Sequence, residues 1–241
     1  LNLYGDEVST NIKSVGQSLA NLGLIPQSAV QLLPNYNVAR TGYLEQDLND
    51  NTVKSVKADF SLHFKPWADD NEIIFQHKVG LGNTIYQGAN RYSLKNFFMN
   101  QTKIEFKGKN YFLRGYMTDE NAGDSYDMRF AAWNVNRAWK DDQTWFGQYA
   151  GTYVQATLGG ATPAQAHAAA RATADTGRFL PGSPEFAAAL ASVTADPDLV
   201  TGSKFKDQSK LYHAEANYNF KDIIKVAELQ LGGSFRQYEM N

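Results

Sequence analysis

The sequence predicts an all-β chain with helical loop insertions, built on about six consecutive antiparallel strands of a large transmembrane β-barrel. Three observations predict it. Six segments alternate apolar and polar residues with period two. Aromatic residues make up 13% of the 241 residues while mean hydropathy stays negative, at -0.46, and no apolar run reaches the roughly 18 residues of a membrane helix. The connections between the strands alternate in length.

Residues 1–52 read as an outer loop with short helices. Ser9 or Thr10 is the expected cap of a helix carrying Ile12, Val15, Leu19 and Leu22, stopped by Gly23. Pro26 opens a shorter helical turn through Val30 and Leu33, and 35–51 is polar and turn-rich. Residues 53–118 supply four strands. Val56, Ala58, Phe60, Leu62 and Phe64 form the clearest alternation, against Lys57, Asp59, Ser61, His63 and Lys65. Ile73, Phe75, Val79 and Leu81 share a phase in the second strand. The third puts Leu94, Phe98, Ile104 and Phe106 in phase, interrupted by Asn100 and Thr102. The fourth sets Leu113, Gly115 and Met117 against Arg114, Tyr116 and Thr118. Residues 208–241 supply two more. One alternates Tyr212, Ala214, Ala216 and Tyr218 with His213, Glu215 and Asn217. The other alternates Ala227, Leu229, Leu231 and Phe235 with Glu228, Gln230, Ser234 and Arg236.

Residues 119–207 are far longer than an ordinary loop and carry their own helices. Trp133, Val135 and Trp139 mark one, and about Thr144–Leu158 a second. Thr162-Pro163 and Ser183-Pro184 start two more with a cap and a first-turn proline. Turns at 66–71, 107–110 and around Lys221-Asp222 are short. The connections at 87–90 and 119–207 are expected to be long. Outer-membrane barrels have short periplasmic turns and long outer loops, so this asymmetry favours a membrane barrel; alternation alone leaves a soluble barrel open. In the membrane case Lys57, Asp59, Glu215, Glu228 and Arg236 face a wet lumen. His77 sits awkwardly in the apolar phase, and Lys225 would snorkel to the interface.

A net charge of -2 gives no reason to expect a nucleic-acid partner. The chain has no cysteine, which removes disulfides and thiolate metal sites. The four histidines are scattered. No nucleophile motif or phosphate loop appears, so neither an enzyme nor a cofactor is expected. The acids Asp119, Glu120, Asp124 and Asp127 are weak calcium candidates whose spacing fits no EF-hand, and Asp196-Pro197-Asp198 is weaker still and reads as a turn. Trp133, Trp139, Trp145, Tyr149 and Tyr153, with Arg129 and Arg137, form the candidate ligand set, although helical spacing equally suits packing of the rings on one another. The absence of an initiator methionine and the stop just after a strand point to a fragment.

Several segments carry a resemblance. Tyr4-Gly5-Asp6-Glu7-Val8-Ser9-Thr10-Asn11-Ile12, Arg40-Thr41-Gly42-Tyr43, Ile85-Tyr86-Gln87-Gly88-Ala89-Asn90-Arg91-Tyr92-Ser93 and Ala122-Gly123-Asp124-Ser125-Tyr126-Asp127 resemble TonB-dependent receptors that carry a carboxypeptidase-regulatory-like domain. So do Arg129-Phe130-Ala131-Ala132, Asn136-Arg137-Ala138-Trp139-Lys140, Ala168-Ala169-Ala170-Arg171 and Ala216-Asn217-Tyr218-Asn219-Phe220. The resemblance implies a plugged barrel of about 22 strands in the outer membrane of a Gram-negative bacterium. It implies solute uptake driven by the TonB complex, contacts with outer-membrane lipid and room for a surface lipoprotein. The plug, the TonB-contacting segment and the closing strand are not in this sequence. A non-transporting adhesion or structural barrel is the alternative.

Overall fold

Strand and helix formation follow the two hydrophobic periods of the sequence, 2 and 3.6. A computed structural model describes residues 2–240. The order is β1 (Leu3–Tyr4), β2 (Ser9–Asn11), α1 (Ile12–Asn21), a 3-10 turn (Gln27–Leu32), β3 (Asn37–Ala39), β4 (Tyr43–Leu44), α2 (Glu45–Leu48), β5 (Lys54–Phe64), β6 (Glu72–Gln87), β7 (Arg91–Lys107), β8 (Tyr111–Asn121) and β9 (Tyr126–Asp127). Helices α3 (Met128–Trp139), α4 (Asp142–Leu158), α5 (Pro163–Ala174) and α6 (Pro184–Ala195) follow, then β10 (Gln208–Asn219) and β11 (Gln230–Met240). Two units result. One is the large sheet, 51–87, 92–126 and 205 onward. The other, helical, gathers the stretch up to Asp50 with Gly88–Arg91 and Asp127–Lys204.

The sheet has seven strands. Its long strands follow the order β11-β10-β8-β7-β6-β5, with β9 beside β7. The six expected strands are therefore consecutive antiparallel neighbours. The sheet is open, and β5 and β11 are its edges. Directly opposed residues of an antiparallel pair point to the same side, so the register fixes the faces. Val56 opposes Leu81, Phe60 opposes His77 and Leu62 opposes Phe75. Ile104 opposes Gly115 and Phe106 opposes Leu113. Leu113 opposes Ala216 and Gly115 opposes Ala214, while Ala214 opposes Phe235 and Tyr218 opposes Leu231. All of these lie on one face. His77 stays in this phase and is satisfied there, its Nδ1 2.9 Å from Thr102 Oγ1. This face is uncovered: Phe60 is 59% exposed, Leu62 57%, Leu231 68% and Phe235 64%.

The two ends of the apolar face differ. Beside the turns at 65–71, 108–110 and 220–229 it closes in aromatics. Phe106 packs against Trp67 and Tyr111, and Tyr218 against Phe220. At the other end the same phase turns polar, with Asn100 opposing Asp119, Asp119 opposing Lys210 and Lys210 opposing Glu239.

Five expectations need correction. The connection between β6 and β7 is only Gly88–Asn90, because these strands run on to 16 and 17 residues, and the turn expected around Lys221-Asp222 is the longer stretch 220–229; of the connections expected to be long, only 122–207 is. The last strand starts at Gln230 instead of Ala227, so Glu228 and Lys225 lie in the preceding connection. There Glu228 accepts from Asn219 and Gln230. Leu94 leaves the apolar phase. Asn96 is the one described non-glycine residue with positive φ, 52°, a local break in alternation of the β-bulge kind, and Leu94 lines a cavity with Lys57 and Met99. Gly123 is fitted to this kink, since a Cβ there would sit 2.3 Å from the Asn96 carbonyl oxygen. Finally, Asn11 caps α1 in place of Ser9 or Thr10, accepting from the amides of Lys13 and Ser14. Ser9 and Thr10 are instead held in β2, opposite Ala39 and Val38 of β3.

The helical unit buries a core from both stretches expected as separate loops. Ile12, Leu33 and Val38 of the first meet Trp145, Tyr149 and Val154 of the second. Ala166, Ala170 and Ala174 recur every four residues on α5 and are fully buried. Their small side chains let α5 lie close against the rings of α4. Asp127, Asp141, Thr162 and Ser183 cap α3, α4, α5 and α6.

Candidate functional site

The polar face of the sheet is the first place where chemistry-bearing side chains converge. Lys57 and Asp59 on β5, Glu215 on β10 and Arg236 on β11 alternate with the apolar face, and each strand adds partners for its neighbours. Asp59 pairs with Lys78 at 3.5 Å. Glu72 takes His63 at 2.8 Å and Lys107 at 3.0 Å. Glu215 pairs with Arg114 and lies 3.1 Å from His213, which accepts from Arg236. The result is a cross-strand network of both signs. It can hold water and hydrogen-bonding partners, and it cannot rest against hydrocarbon.

The helical unit holds the candidate ligand set and divides it. Trp145 and Tyr149 are 0% and 1% exposed, so neither offers a face to a ligand. They are core residues. The Trp145 ring stacks on Tyr149 at 5.3 Å, and its Nε1 donates to Asp175 at 2.9 Å. Tyr153 is likewise buried. Trp139 is half-buried and donates to Asn136 at 3.3 Å.

Trp133 keeps part of its ring open. Arg129 and Arg137, one helical turn before and after it on α3, lie 4.5 and 5.9 Å from the ring centre. Glu7 accepts its Nε1 proton at 3.1 Å. Arg137 is also tied to Asp142, at 3.0 Å. Of the set, Arg129, Trp133 and Arg137 alone form one accessible row.

The acidic candidates do not assemble. Asp127 spends a carboxylate oxygen capping α3 at Arg129 and Phe130, and accepts from Asn90. Asp124 accepts from Asn96, and Asp119 stands opposite Lys210. Among the described residues no three His or acidic side chains are placed to hold a metal.

Three residues to which sequence reasoning gave no role organise this unit. Arg40 is 2% exposed. Its guanidinium pairs with Asp142 at 2.5 Å, donates to the Asn136 carbonyl at 3.2 Å and lies 5.5 Å from the Trp139 ring. Arg171 donates to the Ala39 carbonyl and to Thr41, and lies 5.6 Å from the Trp145 ring. His167 sits between two hydroxyls, Tyr36 at 2.5 Å on Nε2 and Tyr149 at 2.6 Å on Nδ1. One hydroxyl donates to the ring and the other accepts from it, whichever tautomer is present. The only sequence signal was that Arg40 and Arg171 fall inside resembling segments.

Burial, then the nearby Arg171 charge, push the His167 pKa down from 6.5. The unfolded chain therefore takes up this proton first as pH falls. His167 contributes stability above about pH 6.5, and that contribution shrinks as pH drops below the unfolded pKa. Denaturation of the helical unit followed at pH 7.5 and 5.5 should show lower stability at the acid pH. His167→Gln should flatten the difference, and an unchanged slope would reject the assignment.

Compared with family models, curated proteins and solved structures, the chain matches none of them.

Proposed function

We propose that this chain is barrel wall and outer loop of a TonB-dependent outer-membrane receptor that takes up a solute. The observation that carries the reading is the segregation of faces across six neighbouring strands. One face is apolar and bare, the other ion-paired. A soluble sheet of this kind would hide Phe60, Leu62 and Leu231, and here they stand open. Val56 to Phe64 covers roughly 27 Å along the strand at about 3.4 Å per residue, or about 20 Å after the usual tilt. That is the order of the apolar band of outer-membrane barrels, about 25 Å. The aromatic edge formed by Trp67, Phe106, Tyr111 and Tyr218 fits an interfacial girdle. The helices of 127–204 then belong to the outer side, where capture occurs. Energy arrives from the TonB complex through segments outside this chain, and the role is binding and passage with no chemical step.

These 241 residues hold no cysteine, so labelling sites can be placed in them singly, with any cysteine elsewhere in the full-length protein first replaced by serine. Single cysteines at Leu62 and Phe235, and at Asp59 and Ser234, are spin-labelled in the full-length protein in outer membranes. The first pair should respond to oxygen and the second to a water-soluble nickel chelate. Equal access of the chelate to both pairs ends the membrane reading. With the barrel confirmed, absence of any solute uptake whether or not TonB is present would leave the adhesion or structural barrel instead, and uptake that persists without TonB would end the TonB-dependent reading.

A further inference from the structure

The end of α1, the turn after it and one side of α4 enclose a groove of about 910 Å³ in the helical unit. That volume falls within the range of ligand pockets, about 300–1,000 Å³. Its rim keeps Leu22, Leu24 and Leu158 in water, at 66%, 68% and 71% exposure. Along α4 it is lined by the row Thr144, Gly147, Gly151 and Val154. The two glycines are costly there, since each weakens a helix interior by about 1 kcal/mol relative to alanine. Packing within the chain does not require them. A Cβ on Gly151 would meet no atom within 4 Å, and one on Gly147 only Leu19 Cδ2 at 3.9 Å.

Charge decides what the groove can take. It has no basic lining residue; the nearest ammonium, Lys140, is spent on Gln148 Oε1 at 2.7 Å and on the Ala174 and Thr176 carbonyls, and its one acid, Asp141, already accepts from the Thr144 amide and hydroxyl at 2.8 and 2.7 Å. A charged group entering it would lose water and gain no counter-ion, which is unfavourable. Gln143, Gln148 and Gln155 line it as well, and each primary amide both donates and accepts. That chemistry matches peptide groups. We propose that this groove binds a short, uncharged peptide, with aliphatic side chains on Leu22, Leu24 and Leu158, and its backbone lying close over Gly147 and Gly151. The inference builds on the solute-uptake reading, by naming the class of solute.

The probe is N-acetyl dileucine amide, titrated by calorimetry into the full chain in detergent. Dilysine and diglutamate amides serve as charged controls. Binding by the neutral probe alone is expected. Gly147→Leu with Gly151→Leu should cut affinity at least tenfold while thermal unfolding stays at or above the original temperature, because leucine is the better helix former. The proposal is overturned by equal binding of the charged amides, by unaltered affinity in the double variant, or by no heat at millimolar probe. It is also overturned if sedimentation shows a dimer that the same substitutions dissociate, since a second copy would then fill the groove. None of these outcomes touches the spin-label or TonB tests, so the two readings can fail separately.

Discussion

Replacing Asp142 with alanine should lower the stability of the helical unit by about 3 kcal/mol. Removing one partner of a buried ion pair costs about 3–5 kcal/mol, because the other charge is left without compensation. Here the remaining charge is Arg40, whose side chain is 1% exposed. It would keep only the Asn136 carbonyl and two aromatic faces. The low end of the range applies because the Asp142 side chain is 31% exposed, so water reaches the space it leaves. Arg137→Ala removes the other partner of Asp142, and that guanidinium is 37% exposed. Its loss should cost below about 1 kcal/mol, as for surface pairs. The buried Trp145 provides a fluorescence signal for urea unfolding of the full chain. Matching midpoints for the two variants would contradict the role given to Arg40.

If the apolar face meets lipid as proposed, Phe60→Arg should impair assembly of the sheet into the membrane by about 2–4 kcal/mol, the cost of an arginine near the bilayer midplane on the lipid side of a barrel. Phe60 is the middle of the five apolar positions of β5, which places it farthest from either interface. Its neighbour Ser61 points to the ion-paired face, so Ser61→Arg should be tolerated within about 0.5 kcal/mol. Folded yield of the full-length protein in outer membranes is the measurement. The contrast between adjacent residues is the informative part. A soluble sheet with a wet surface on both sides would accept both arginines alike.

These two substitutions also divide what could be read from the chain from what could not. The β5 alternation is written into consecutive residues, and side chains of a strand have no choice but to alternate. The six strands and their faces were therefore legible wherever the backbone stays regular. Leu94 was misplaced because the kink at Asn96 is supported from elsewhere: Asn83 accepts its amide proton and Asp124 its side-chain proton. Sequence distance also hid the helical unit. Arg40 and Asp142 are 102 residues apart, and nothing local to either one names the other. The same holds for His167, whose two hydroxyl partners come from Tyr36 and Tyr149. Helical spacing did indicate that Trp145 and Tyr149 could pack. Spacing alone could not separate them from Trp133, because ring exposure is decided by the helix that happens to lie opposite. The caps of α5 and α6 were readable, since Thr162-Pro163 and Ser183-Pro184 act on their own next turn.

The two rims of the sheet have a consequence for assembly. Along the outer sides of β5 and β11, main-chain donors and acceptors have no adjoining strand. In water such rows invite another chain. In hydrocarbon each unmet group costs several kcal/mol, so two rows of this length would outweigh the entire stability of an ordinary domain. If the sheet lies in a bilayer, its ladder must continue on both flanks until it meets itself. Insertion is then a property of the completed ring, and a cut at either flank should abolish it as thoroughly as unfolding would.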